Sequence, residues 1–195
     1  MRQEKKKDKD NISIVLSYFH DIAYLLAVIL IVFLLLFRVV IVSGPSMNNT
    51  LVDGDYLLLV NSLFYQNPKQ GDIIVASKQS FKNGEPIIKR VIATEGQTVN
   101  IDFDTGIVYV DGKPLTEPYT TSLTTLDEGV DFPLTVAQGC VFVMGDNRGY
   151  SQDSRSPQIG QIDRRQIMGK AVFLFLPGTN KGAQNREFNR IGVLQ

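Results

Sequence analysis

Residues 22–42, IAYLLAVILIVFLLLFRVVIV, are apolar around the whole circumference of a helix, with Arg38 near one end. At 1.5 Å per residue, about 20 residues cross a hydrocarbon core of about 30 Å, so this stretch predicts one transmembrane helix. The apolar region of a cleavable signal peptide is shorter, about 7–15 residues, and no small-residue cleavage pattern follows this one. Beyond it the pattern changes to that of strands. Tyr56–Val60 and Asp72–Ala76 are short apolar runs set off by turn residues, Thr98–Phe103 alternates, and Ile107–Val110 returns after Asp104-Thr105-Gly106 toward Asp111-Gly112. Cys140–Met144 and Ile167–Leu176 complete the set, and no second run is long enough to span. Pro86–Ala93 also reads as a strand, interrupted by the neighbouring cations Lys89 and Arg90, which a strand directs to opposite faces.

Between these runs, residues 113–137 carry Pro114, Pro118, Gly129 and Pro133 and a Thr/Ser cluster, the composition of an exposed loop or small excursion. The tail after Pro177 is polar and reads as peripheral. The predicted class is mostly β, an antiparallel β domain behind one N-terminal transmembrane helix. Its divisions are an N-terminal segment 1–21, an anchor 22–42 and a β-rich domain 43–195.

Charge adds a direction. Arg2, Lys5, Lys6, Lys7 and Lys9 precede the apolar run, and after Arg38 the next basic residue is Lys69. Cationic flanks stay in the cytoplasm, which predicts a single-pass membrane protein with a cytoplasmic N-terminus, its β domain on the outer face and membrane lipid as a partner. Twenty Lys plus Arg balance twenty Asp plus Glu, which argues against nucleic acid as a partner. The one cysteine, Cys140, lies in an apolar run and reads as a buried, inert thiol. His20, the one histidine, precedes the anchor. That placement removes a Ser-His triad and any histidine-based metal site from the outer domain.

The remaining chemistry converges on three stretches. Ser46 follows Gly44-Pro45, a position as natural for a turn serine as for a nucleophile beside a membrane. A serine nucleophile needs a base, and with histidine removed a lysine is the candidate, provided burial holds it neutral. Lys89, among Ile87, Ile88, Val91 and Ile92, has such surroundings, although an edge-strand lysine that discourages aggregation fits the same pattern. The third stretch, Gly145 to Arg155, packs turn formers, carboxylates, hydroxyls and two arginines after an apolar strand. It lacks the EF-hand spacing and terminal glutamate, so no metal is expected, and no cofactor is implied.

Together Ser46-Met47 with Thr50-Leu51, Gly54-Asp55, Lys89-Arg90-Val91-Ile92, and Gly145-Asp146-Asn147 with Ser151, Asp153, Ser154 and Arg155, all behind an anchor, resemble the type I signal peptidases, in particular the single-anchor Gram-positive type. The resemblance implies a membrane-anchored serine endopeptidase that removes signal peptides from exported preproteins by a Ser/Lys dyad. It makes Ser46 the nucleophile, with its backbone N–H as oxyanion donor, and Lys89 the general base. Ser151 is implied to orient the Lys89 amine. Asp146, Asn147, Asp153, Ser154 and Arg155 are implied to hold the loop, with Asp153 and Arg155 paired. Met47 and Ile88 are implied to line the pockets for small residues of the signal peptide. The chain departs from the family pattern at Asn49, where proline is common, at Gln97, where Gly-Asp is usual, and at Gly44, where some relatives carry a serine donor. The rival is a catalytically inactive homologue serving as an anchored binding module.

Overall fold

The computed structural model describes residues 2–179 and 186–194. Helix α1 (Arg2–Leu36) contains one apolar span, Leu16–Leu36, long and apolar enough to cross a membrane. The cationic side chains before residue 10 lie outside the described residues. The predicted anchor and the observed helix differ at both ends. His20 falls inside the apolar span and meets Tyr24 edge-on at 4.5 Å, so it does not precede the span as the sequence reading had it. At the other end the helix stops at Leu36, and β1 (Phe37–Ile41) takes over what the sequence assigned to the anchor. Val39, Val40 and Ile41 are β-branched, and their backbone finds a hydrogen-bonding edge, so local preference and pairing both favour a strand. The compact unit after the helix therefore begins at Arg38.

That unit contains β2 (Tyr56–Asn61), β3 (Ile73–Ser77), β4 (Pro86–Thr94), β5 (Thr98–Asp102), β6 (Ile107–Val110), β7 (Lys113–Pro114), β8 (Leu134–Thr135), β9 (Cys140–Met144), β10 (Ile162–Asp163), β11 (Ile167–Leu176) and β12 (Gly192–Val193). Among the described residues they form an eight-stranded sheet in the order β1-β2-β11-β3-β4-β9-β10, with β12 added beside β11, and a four-stranded sheet in the order β7-β6-β5-β8. The pairings given by register are antiparallel, which agrees with the predicted class.

Strand β11 organises the larger sheet. Its first half pairs with β3 on one edge, its second half with β12 on that same side, and β2 runs along the other edge. The tail is therefore not peripheral. Arg190 reaches back across 135 residues to the buried carboxylate of Asp55, which also accepts from Gly178 N at 2.7 Å. A Cβ at Gly178 would stand 2.2 Å from the Asp53 carbonyl oxygen, so only glycine permits this approach.

Three apolar clusters fill the unit. Met47, Leu51, Leu57 and Val75 belong to the first, Phe81, Val91 and Val143 to the second, and the smaller sheet closes the third with Val99, Ile101 and Val108 against Ile92, Phe142 and Met144. Burying each such side chain contributes about 1.5–3 kcal/mol. Strand β4 borders all three: Ile88 packs on the first, Val91 belongs to the second and Ile92 to the third. It is a rigid base on which to mount a side chain.

Candidate active site

Lys89 projects from the middle of β4, and its neighbour Arg90 goes the other way, as alternation requires. Lys89 is 4% exposed, and among the described residues its amine makes one hydrogen bond, donated to Ser46 Oγ at 2.8 Å. Burial lowers its pKa from the ordinary 10.5 to about 8, and Arg155 pushes the same way, while the carboxylates of Asp153, Glu128 and Asp146 resist. The drop corresponds to roughly 3 kcal/mol of disfavoured positive charge. An ammonium this far from water and without a bonded carboxylate gives up its proton near neutral pH.

Ser46 stands in a turn whose backbone is fixed from both sides. Gly44 N donates to Asp53 at 2.8 Å, with Gly44 at φ 88°, in the left-handed region that suits glycine. The Ser46 carbonyl accepts from Asn147 N at 3.0 Å, and Asn147 Nδ2 donates to the Pro45 carbonyl at 3.0 Å. The Ser46 N–H has no hydrogen-bond partner among the described residues, which leaves a donor available beside the hydroxyl. A Cβ at Gly145 would come within 2.2 Å of Ser151 Oγ and 2.5 Å of the Ser46 carbonyl oxygen. The Ser46 turn and the 145–155 loop close on each other only because residue 145 is glycine.

The loop is built around buried charge. Asp153 and Arg155 are both fully buried and form the expected pair, two N–H donors of Arg155 meeting the carboxylate at 2.9 Å each. Ser154 exchanges hydrogen bonds of 3.0 Å with Val143 and so pins the loop to β9. Ser151 differs from expectation. Ser151 donates its hydroxyl to Asp153 at 2.8 Å, and among the described residues no hydrogen bond joins it to the Lys89 amine. Asp146 pairs with Arg90 through two N–H donors at 2.9 and 2.8 Å and also accepts from the Thr50 hydroxyl. Among the described residues, no cluster of His, Cys, Asp and Glu has the geometry to hold a metal ion.

A cavity of about 330 Å³ opens over the pair, lined in part by Met47, Phe81, Ile87 and Ile88 together with Ser46 and Lys89. Met47 is buried beneath it and Ile88 packs on the same core cluster. Phe81, absent from the sequence reading, reaches the cavity from the β3–β4 connection, where no periodicity marks it.

A model of the signal peptidase family, peptidase S26, matches residues 15–176. The chain belongs to the signal peptidase family. Signal peptidase I of Bacillus licheniformis is 36% identical over 188 residues, covering 91% of this chain and 96% of that protein. Signal peptidase I T of Bacillus subtilis is 38% identical over 164 residues, covering 80% and 81%. Among solved structures, a signal peptidase I from Enterococcus faecalis V583 is 30% identical and covers 53% of this chain and 96% of its own, at a TM-score of 0.44.

In this signal peptidase family member the excursion 113–137 proved more than an exposed loop. Glu117 pairs with the buried Arg148, whose guanidinium also donates to Thr124; the Tyr119 ring lies 4.0 Å from the Arg90 guanidinium carbon; and Glu128 stands 3.1 Å from Arg155. The excursion is a strap that gives each of three buried arginines a partner. None of these pairs is local in sequence, and only the presence of Arg148 and Arg155 amid turn formers hinted that carboxylates must come from elsewhere.

Proposed function

We propose that the chain is a membrane-anchored serine endopeptidase that removes signal peptides from exported preproteins, with Ser46 and Lys89 as its catalytic dyad. The observation that carries this reading is the 2.8 Å contact between a buried, largely desolvated Lys89 amine and the Ser46 hydroxyl, at the edge of an apolar-walled cavity. The names of the relatives supply the substrate class. The neutral amine takes the proton from Ser46 Oγ as that oxygen bonds to the scissile carbonyl carbon. The oxyanion that results is received by the Ser46 N–H. The Lys89 ammonium then returns its proton to the leaving amine as the C–N bond breaks, and water, deprotonated by the same amine, releases the acyl group from Ser46.

In this reading the apolar span Leu16–Leu36 holds the enzyme in the bilayer, N-terminus inward, and the unit from Arg38 faces outward. Met47 and Ile88 shape the wall that accepts small side chains next to the scissile bond. Asp146, Asn147, Ser151, Asp153, Ser154 and Arg155 hold the two halves of the site in register without touching the reacting atoms. The deciding experiment incubates detergent-solubilised protein with a model preprotein carrying Ala at −3 and −1 and sequences the new N-terminus. Ser46→Ala and Lys89→Ala each abolish processing while the domain stays folded; processing at the wild-type rate in either variant refutes the dyad.

A further inference from the structure

Glu128 is a carboxylate that the dyad chemistry does not use, held at the back of the loop that does. It sits on the strap, its side chain 12% exposed, and one carboxylate oxygen stands 3.1 Å from Arg155 Nη2 without hydrogen-bond geometry. Arg155 already donates to others: Asp153, and the carbonyls of Leu126, Arg148 and Ser151. Glu128 therefore adds a second negative charge to a cation that Asp153 already neutralises. Two carboxylates and one guanidinium leave net negative charge directed at the buried amine on β4.

We propose that Glu128 is a positioning residue for the dyad, setting through its charge and its hold on the Arg155–Asp153 pair how tightly the Lys89 amine keeps its proton. The inference rests on the Ser46–Lys89 reading. The charged groups facing the amine are Asp153, Arg155 and Asp146 from the 145–155 loop and Glu128 from the strap. Those acting on Glu128 are Asp153, Arg155 and Lys89. The charge on Glu128 is adjustable. Burial and the neighbouring Asp153 raise its pKa to about 7, against the favourable pull of Arg155, the Asp153 N–H and Lys89. Ionised, Glu128 favours the ammonium of Lys89 and withholds the base. Neutral, it releases that restraint.

The sign follows directly. Removing the charge lowers the pKa of Lys89 and extends activity to lower pH. Measured on the full-length protein in detergent, the acid limb of kcat/KM for Glu128→Gln moves down by about a few tenths of a pH unit, a gain of about one and a half- to twofold between about pH 7 and 8 that fades at lower pH, where wild-type Glu128 is itself neutral. Glu128→Asp keeps the charge and stays near the wild-type limb. A purely structural Glu128 would instead lower kcat in both variants at every pH and leave the limb in place, and that result overturns the proposal. Ser46→Ala is run alongside: retained activity there defeats the dyad reading itself, whereas an inactive Ser46→Ala with an unmoved Glu128→Gln limb defeats this inference alone. If thermal unfolding shows that Glu128→Gln is not folded, the wild type decides. Its Lys89 13Cε resonance should carry a second, smaller inflection near pH 7 from the titration of Glu128, and a single inflection overturns the proposal.

Discussion

Lys89 on β4 and Lys170 on β11 lie on one rung of the larger sheet, each opposite Ile74 of β3, yet their surroundings differ in kind. Lys170 is about a third exposed, and its ammonium is held by Asp72, which also accepts from Tyr65 and from Lys69 N. Burial alone would raise the pKa of Asp72, but these donors hold it below the usual carboxylate range. Lys89 has neither the exposure nor the carboxylate: burial empties its surroundings of water, and its one hydrogen bond goes to a hydroxyl. A strand position gives both lysines the same backbone. What meets the head of the side chain makes one a structural cation and leaves the other without a bonded carboxylate, as the proposed base requires.

The largest effect expected from breaking this contrast is on turnover. Lys89→Met, which keeps the stem and removes the amine, lowers kcat by about a thousandfold or more in preprotein processing, while Lys170→Met stays within about threefold of wild type. Comparable losses in both would erase the distinction. Next comes the frame. Arg90→Met leaves Asp146 buried without its cation and lowers unfolding free energy by about 3–5 kcal/mol in denaturant titration, because a buried charge stripped of its partner is not resolvated. Gly145→Ala tests the close approach more gently: the domain still folds, but separating the Ser46 turn from the loop lowers kcat by about a hundredfold. The pH profile sharpens the comparison further. Wild-type kcat/KM falls as pH drops through about 8, where Lys89 gains its proton, and Lys170→Met leaves that midpoint in place. Smallest is the stability change at Lys170, about 1 kcal/mol for Lys170→Met, since Asp72 retains Tyr65 and a backbone donor.

The longer strands from Tyr56 to Leu176 were legible because their patterns are local: alternation at 98–102, β-branched runs at 86–94, turn residues between; the two-residue strands β7, β8 and β10 carry no such pattern. The contact between Ser46 and Lys89 was legible as a candidate because scarcity of histidine pointed to lysine and burial around residue 89 could be read from its neighbours. The frame was not. Arg90 and Asp146 are 56 residues apart, and Arg148 and Glu117 are 31 apart. Such pairs exist only once β4, β9 and the strap are assembled, and no periodicity in any one segment records them. The helix end was misjudged for a related reason. Residues 37–42 are as apolar as the helix before them, and the edge of β2 that recruits the first five into a strand is supplied by a later part of the chain.

Asp55 illustrates what such separation means for a chain made in one direction. Its carboxylate emerges early in synthesis and finds a backbone donor nearby at Val52, but its guanidinium is encoded 135 residues later. Until Arg190 has been translated, the carboxylate is without that guanidinium and the edge of β11 beyond β3 lacks β12. An incomplete chain therefore cannot complete this sheet, and the unit from Arg38 is finished only after Arg190 has been made, long after the apolar helix has left the ribosome.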